Sequence, residues 1–200
     1  MHPNRNFHWT DREAMLAFVA ETAFAHLFVP SPEGPLVAHA PVIVTPDGDL
    51  RFHLSSANPL SRYLDGSVAL ASLAGPDAYV SPDWYGSADQ VPTWNYITVE
   101  ARGLVRTLPA SDLVALLDDL SAMHEARLAP KPPWTRAKMQ PGLFEGMLKA
   151  ITGFEMKVES LRGTRKLGQN KKQQETASAA AGLEAAGRAD MARLMRSPGD

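Results

Sequence analysis

A mainly β barrel with helices on its outside is predicted by three observations. Five or six short apolar runs carry strand periodicity, turn chemistry separates most of them, and the helical segments do not alternate regularly with the strands. A doubly wound α/β sheet requires that alternation. The chain has 200 residues, 44 % of them hydrophobic, which is enough for one sizeable core, so one domain with appendages is expected.

Thr10-Asp11-Arg12-Glu13 has the spacing of a capping box, and Met15, Phe18, Val19 and Thr22 recur at helical intervals, predicting a helix over 11–23. From Ala25 to Ile43 short runs rich in valine, leucine and phenylalanine are broken by Pro30-Ser31-Pro32-Glu33-Gly34-Pro35, which reads as a hairpin. After the turn Thr45-Pro46-Asp47-Gly48-Asp49, Leu50, Phe52 and Leu54 alternate with Arg51 and His53 as in a half-buried strand. A short helical stretch follows Asn58-Pro59 to about Leu64, and Val68 to Leu73 reads as a buried strand. The clearest strand runs from Trp94 to about Leu108, with Ile97, Val99, Ala101 and Val105 on one face and Thr98, Glu100, Arg102 and Arg106 on the other.

Residues 111–124 switch to helical period, with Leu113, Leu116, Leu117, Leu120 and Met123 in one stripe behind a Ser111 cap. Lys131-Pro132-Pro133-Trp134 marks a rigid loop, Leu143 to Ile151 a short helix, and Phe154, Met156 and Val158 a last strand ending before Gly163. Beyond Gln173 the chain is rich in alanine and glutamate with few residues to bury, which predicts a partly frayed helical tail ordered by a partner chain. The expected division is a barrel domain over 1–172 and a helical tail over 173–200.

Composition removes several classes of function. A net charge of -2 offers no general attraction to nucleic acid or anionic lipid, and the absence of cysteine excludes disulfides, thiolate metal sites and a cysteine nucleophile. No apolar run reaches the roughly 18 residues of a membrane helix, and Met1-His2-Pro3-Asn4-Arg5-Asn6 leads into no apolar signal segment. No membrane association is expected, and the expected compartment is the cytoplasm. The six histidines show no paired ligand spacing, so no metal site is expected. Neither a nucleophile elbow nor a phosphate-binding glycine loop occurs, and no catalytic acid or base is assigned.

His39 and His53 lie on consecutive predicted strands, where a hairpin brings them near each other. They are either donors to an anionic ligand or locally bonded strand histidines. Three clusters, around Ser55 to Pro59, Ala78 to Tyr85 and Val91 to Tyr96, combine aromatic planes with hydroxyls and amides. That chemistry suits a flat heterocycle bearing a polyol and phosphate, and equally suits aromatics plugging the barrel ends. The basic residues Arg162, Arg165, Lys166, Lys171 and Lys172 read as a phosphate clamp, part of a nucleic-acid surface, or a solvated strand end.

At these motifs the chain resembles a known family. Ala38-His39-Ala40-Pro41, Phe52-His53-Leu54-Ser55-Ser56-Ala57-Asn58-Pro59, the run from Gly75 to Tyr85, Val91-Pro92-Thr93-Trp94-Asn95-Tyr96 and Lys166-Leu167-Gly168-Gln169-Asn170 are similar to the PaiB family, in its order, over most of residues 7–172. The resemblance implies a split β-barrel of about six antiparallel strands, Greek-key-like, with flanking helices, related to the pyridoxamine-phosphate-oxidase-like flavoproteins. It implies a homodimer with FMN between the subunits and a role as a negative transcriptional regulator, DNA being a weakly supported partner. An FMN-dependent oxidoreductase is the alternative on the same barrel, as is a haem protein using His39 or His53 as axial ligand.

On this resemblance His53, Ser55, Ser56 and Asn58 contact phosphate and ribityl, and Lys166, Gln169 and Asn170 join them or touch the ring edge. Trp94 and Asn95 border the isoalloxazine, His39 lies nearby, and Tyr79, Trp84 and Tyr85 shape the pocket or the dimer seam. Two positions depart from the family pattern: Ser56 stands where the strand-end motif carries an arginine, and Gly168 where a serine often precedes the glutamine.

Overall fold

The computed structural model describes residues 2–197; residue 1 and residues 198–200 of the expected tail lie outside the described residues. The strands are β1 (His8–Trp9), β2 (Phe24–Ser31), β3 (Gly34–Val44), β4 (Leu50–Ser55), β5 (Val68–Val80), β6 (Thr93–Thr107) and β7 (Ile151–Lys166). The helices are α1 (Arg12–Thr22), α2 (Ser61–Leu64), α3 (Ala110–Ala126), α4 (Leu143–Leu148), α5 (Gln173–Ala185) and α6 (Ala189–Arg196).

The strand order is β1-β7-β4-β3-β2-β5-β6, and β7 also pairs with β6, so six strands close a ring and β1 is appended to β7. The β2-β3, β3-β4, β2-β5, β4-β7 and β1-β7 pairs are antiparallel. β5 returns beside β2, the first strand of the β2-β3-β4 meander, which is Greek-key order. The expected count of about six strands is corrected to seven. The added strand, His8–Trp9, is two residues long and too short to show a period of two.

The predicted elements recur with shifted ends. Helix α1 is capped by Asp11, whose Oδ1 accepts the Ala14 N–H at 3.0 Å, rather than by Thr10. Helix α3 begins after Pro109, and Ser111 sits inside it with its hydroxyl on the Asp112 carboxylate, so the Ser111 cap is also corrected. Strand β5 continues through Gly75-Pro76 to Val80, and β7 continues through Gly163 to Lys166; glycine and proline read as strand breakers in sequence.

Two compact units emerge. One, from Leu16–Leu73 and Glu100–Leu161, centres on β4, where Leu50, Phe52 and Leu54 are buried and Phe52 stacks on Phe154 with ring centroids 5.6 Å apart. The stripe Leu113, Leu116 and Leu120 of α3 is buried with Ile43, Leu108 and Ile151 packed against it. Here β6 and β7 approach closely: a Cβ on Gly103 would lie 1.7 Å from the Lys157 carbonyl oxygen.

The other unit draws on Ala74–Val99 and the described parts of Met1–Met15 and Arg162–Asp200. Helices α5 and α6 bury Ala179, Ala180, Leu183, Met191, Ala192 and Met195 within it. The frayed-tail expectation is thereby corrected: the alanines of α5 pack closely although that helix is only weakly amphipathic, and the short α6 is strongly amphipathic, with Met191, Ala192 and Met195 on its buried side.

Candidate functional site

Along β4 burial alternates, so Arg51, His53 and Ser55 project from the face opposite Phe52 and Leu54. The strand ends in a tight turn. The Ser55 carbonyl accepts the Asn58 N–H at 2.9 Å and the Ser61 hydroxyl at 2.9 Å, and Asn58 Oδ1 accepts the Leu60 N–H at 3.0 Å, which opens α2. Ser55 and Ser56 are exposed, and the Ser56 hydroxyl lies 2.8 Å from that of Thr152. The turn therefore holds His53, Ser55, Ser56 and Asn58 together as a cluster of neutral hydrogen-bonding groups.

His53 has a buried Nδ1 with no hydrogen-bond partner, and burial lowers its pKa below the ordinary 6.5, so the neutral imidazole prevails near neutral pH. Its ring lines a cavity of about 340 Å³ with Trp134, Arg136, Phe144 and Met147. An orphaned imidazole nitrogen and two exposed serines fit a polyol or phosphate as hydrogen-bond partners. Arg51, the cation on the same strand face, is ion-paired to Glu155 at 2.5 Å.

His39 lies on β3. The β2-β3 register places it opposite His26, and the two Nδ1 atoms are 2.7 Å apart, a hydrogen bond in which one ring donates and the other accepts. In the antiparallel β3–β4 pair Val42 faces Phe52, and that register ends short of both His39 and His53.

The remaining candidates belong to the other unit. Trp94 is 55 % exposed and meets Tyr79 edge to face at 6.3 Å, while Asn95 is buried and donates its amide to Met195 Sδ at 3.2 Å. Neighbours on one strand face opposite ways, so Trp94 and Asn95 lie on opposite faces of β6. Lys166 donates to the Trp94 carbonyl at 2.8 Å and to the Thr93 hydroxyl, and its partial burial lowers its pKa. Gln169 is committed to the backbone, accepting the Leu167 N–H at 2.8 Å and donating to the Arg165 carbonyl at 2.6 Å; Asn170 is exposed beside it. Gly168, at φ +85°, occupies the left-handed region that a serine adopts only with strain.

Of the basic segment, Arg165 lies over the Trp9 ring at 5.0 Å and Lys171 over the Tyr85 ring at 5.2 Å, so these cations have internal partners. Sequence reasoning missed Trp134, Arg136 and Phe144 beside His53, and His26 beside His39. The Lys131-Pro132-Pro133-Trp134 rigidity was the available signal for the first group; nothing in the spacing marked His26.

Residues 1–160 match the family described as "Putative FMN-binding domain". The chain is 31 % identical over 175 residues to "Protease synthase and sporulation protein PAI 2" of Bacillus subtilis (strain 168), covering 86 % of this chain and 83 % of that protein. Among solved structures it is similar to the FAD and heme binding protein of Mycobacterium smegmatis, with a TM-score of 0.61 at 18 % identity over 86 % of this chain and 79 % of that one. It is also similar to the flavocytochrome Anf3 of Azotobacter vinelandii, with a TM-score of 0.58 at 18 % identity over 84 % and 73 %. These structural likenesses carry the fold, a split β-barrel.

Proposed function

Since this chain belongs to the FMN-binding domain family, we propose that it is an FMN-binding, homodimeric, cytoplasmic regulator of transcription. The observation that carries the cofactor is the β4 turn, where the orphaned His53 nitrogen and the exposed Ser55 and Ser56 hydroxyls stand next to Asn58. In this reading these four residues hold the phosphate and ribityl chain. In the other unit Trp94 offers an exposed plane suited to stacking on a flavin ring, and Asn95, on the inner side of β6, supports that strand by its bond to Met195. Lys166, Gln169 and Asn170 form the end of β7 within the same unit as Trp94 and are candidate flavin contacts there, and His39, paired with His26, is a further candidate in the unit of the β4 turn. The flavin, when bound, supplies any electron transfer, while the protein binds and orients it.

The regulatory part of the proposal rests on the likeness to the Bacillus protein. The homodimer is supported by the outward faces of β2, β3 and β5, where Phe24, Phe28, Val37 and Val68 are all more than a third exposed. No helix among the described residues is long and apolar enough to cross a membrane.

The direct test is the visible spectrum of purified protein after FMN addition and desalting. Retained flavin absorbance supports the cofactor role, and a colourless protein refutes it. For the regulatory role, upstream DNA is titrated at low and moderate salt, and no binding at either rules out direct repression.

A further inference from the structure

The cavity beside His53 is built differently from the β4 turn. Helix α3 forms one wall and helix α4 with the preceding loop forms the other, with Trp134, Phe144 and Met147 among the apolar lining. Its volume of about 340 Å³ falls at the lower end of the range for small-molecule sites, roughly 300–1,000 Å³. The Trp134 N–H donates to Glu125 Oε2 at 2.8 Å, tying the loop to α3 and fixing the wall in advance of any ligand.

The charge of the lining selects what can enter. Arg136 lies 3.1 Å from the Asp118 carboxylate and 5.1 Å over the Phe144 ring, so its charge is already compensated. Burial keeps His53 neutral. A phosphate or carboxylate would thus lose its water without finding a free cation, whereas a neutral ring gains apolar burial against Trp134 and Phe144.

We infer that the cavity between α3 and α4 beside His53 is a binding site for a small, neutral, flat aromatic molecule of about two fused rings, distinct from the flavin. Trp134 and Phe144 grip the rings, and the paired Arg136 and Asp118 close the edge.

Menadione, a neutral two-ring quinone, serves as the probe, titrated calorimetrically into the full chain with and without FMN. Saturable binding is expected, weakened at least about tenfold by Trp134→Ala. Met147 is exposed and lies outside the core, so Met147→Glu keeps the test valid if Trp134→Ala does not fold. Met147→Glu is expected to weaken menadione by a similar factor while flavin retention, read from absorbance of the same sample, is unchanged. A sulfonated, anionic naphthoquinone is expected to bind at least about tenfold more weakly than menadione. No binding by the wild type, equal binding by Met147→Glu, equal binding of the anion, or one-for-one displacement of FMN each overturns the inference. Menadione binding by a protein that retains no flavin refutes the cofactor reading and leaves this one standing.

Discussion

At His53 the packing around a strand position carries an energetic consequence. Its imidazole is partly buried, its Nδ1 has no partner, and its pKa is held below 6.5, the value it regains on unfolding. Between these two values the unfolded chain binds more protons, so stability at this residue is present above about pH 6.5 and lost as pH falls towards the lowered value. The expected outcome is that His53→Leu flattens the decline of urea midpoint with falling pH below 6.5. An identical decline in the variant would refute it. Ser56 stands where the family pattern carries an arginine, and its exposure leaves room for the longer side chain. Ser56→Arg is expected to tighten FMN at least about fivefold through a charge-assisted phosphate bond, read by fluorescence titration. Gly168 departs from the same pattern for a visible reason: at φ +85°, Gly168→Ser is expected to cost about 1 kcal/mol in denaturant unfolding.

Elements depend on a few such positions. Where β6 meets β7, the 1.7 Å separation between an added Cβ at Gly103 and the Lys157 carbonyl admits no side chain unless the backbones part. Gly103→Ala is therefore expected to destabilise by roughly 3 kcal/mol, the upper end of overpacking costs, measured by chemical denaturation. The cap of α1 is more forgiving: Asp11→Ala is expected to lose about 1 kcal/mol and Thr10→Ala much less, reversing the order that capping-box spacing implies. Strand β6 imposes a division of labour, turning Trp94 outward and burying Asn95 against Met195. Alternation along a strand makes that separation unavoidable for adjacent residues.

For the whole molecule, the outward surface of β2 and β3 sets the question of association. Phe28 faces Val37 across the hairpin, and both side chains are substantially exposed, at 37 % and 49 %. If a second copy covers this face, Val37→Glu weakens self-association at least about tenfold in sedimentation experiments without lowering thermal stability at high dilution; an unchanged profile excludes this face from the dimer. The last helices bear on the fold as well. Met191 and Met195 of α6 are fully buried in their unit, so a chain ending after Ala186 exposes apolar surface and leaves the Asn95 amide without its sulfur partner.

Strand and helix identity were legible in the amino-acid order, because a period of two along Leu50, Phe52 and Leu54 and a period near four along Leu113, Leu116 and Leu120 record which face meets the core. The family was legible too, in the order of its motifs through Ser55, Asn58, Trp94 and Gln169. Local signals failed where an interaction is decided by chain segments far apart. His39 takes His26 as its partner through hairpin register, and His53 meets Trp134 and Phe144 from segments about 80 and 90 residues away. Helix α5 lacks a strong amphipathic pattern yet buries its alanines, whereas the amphipathic signal of α6 spans only eight residues. Periodicity and motif therefore determined the elements and the family. Tertiary structure alone decided which side chains share a cavity and which imidazole is left neutral, because burial and register are properties of packed neighbours.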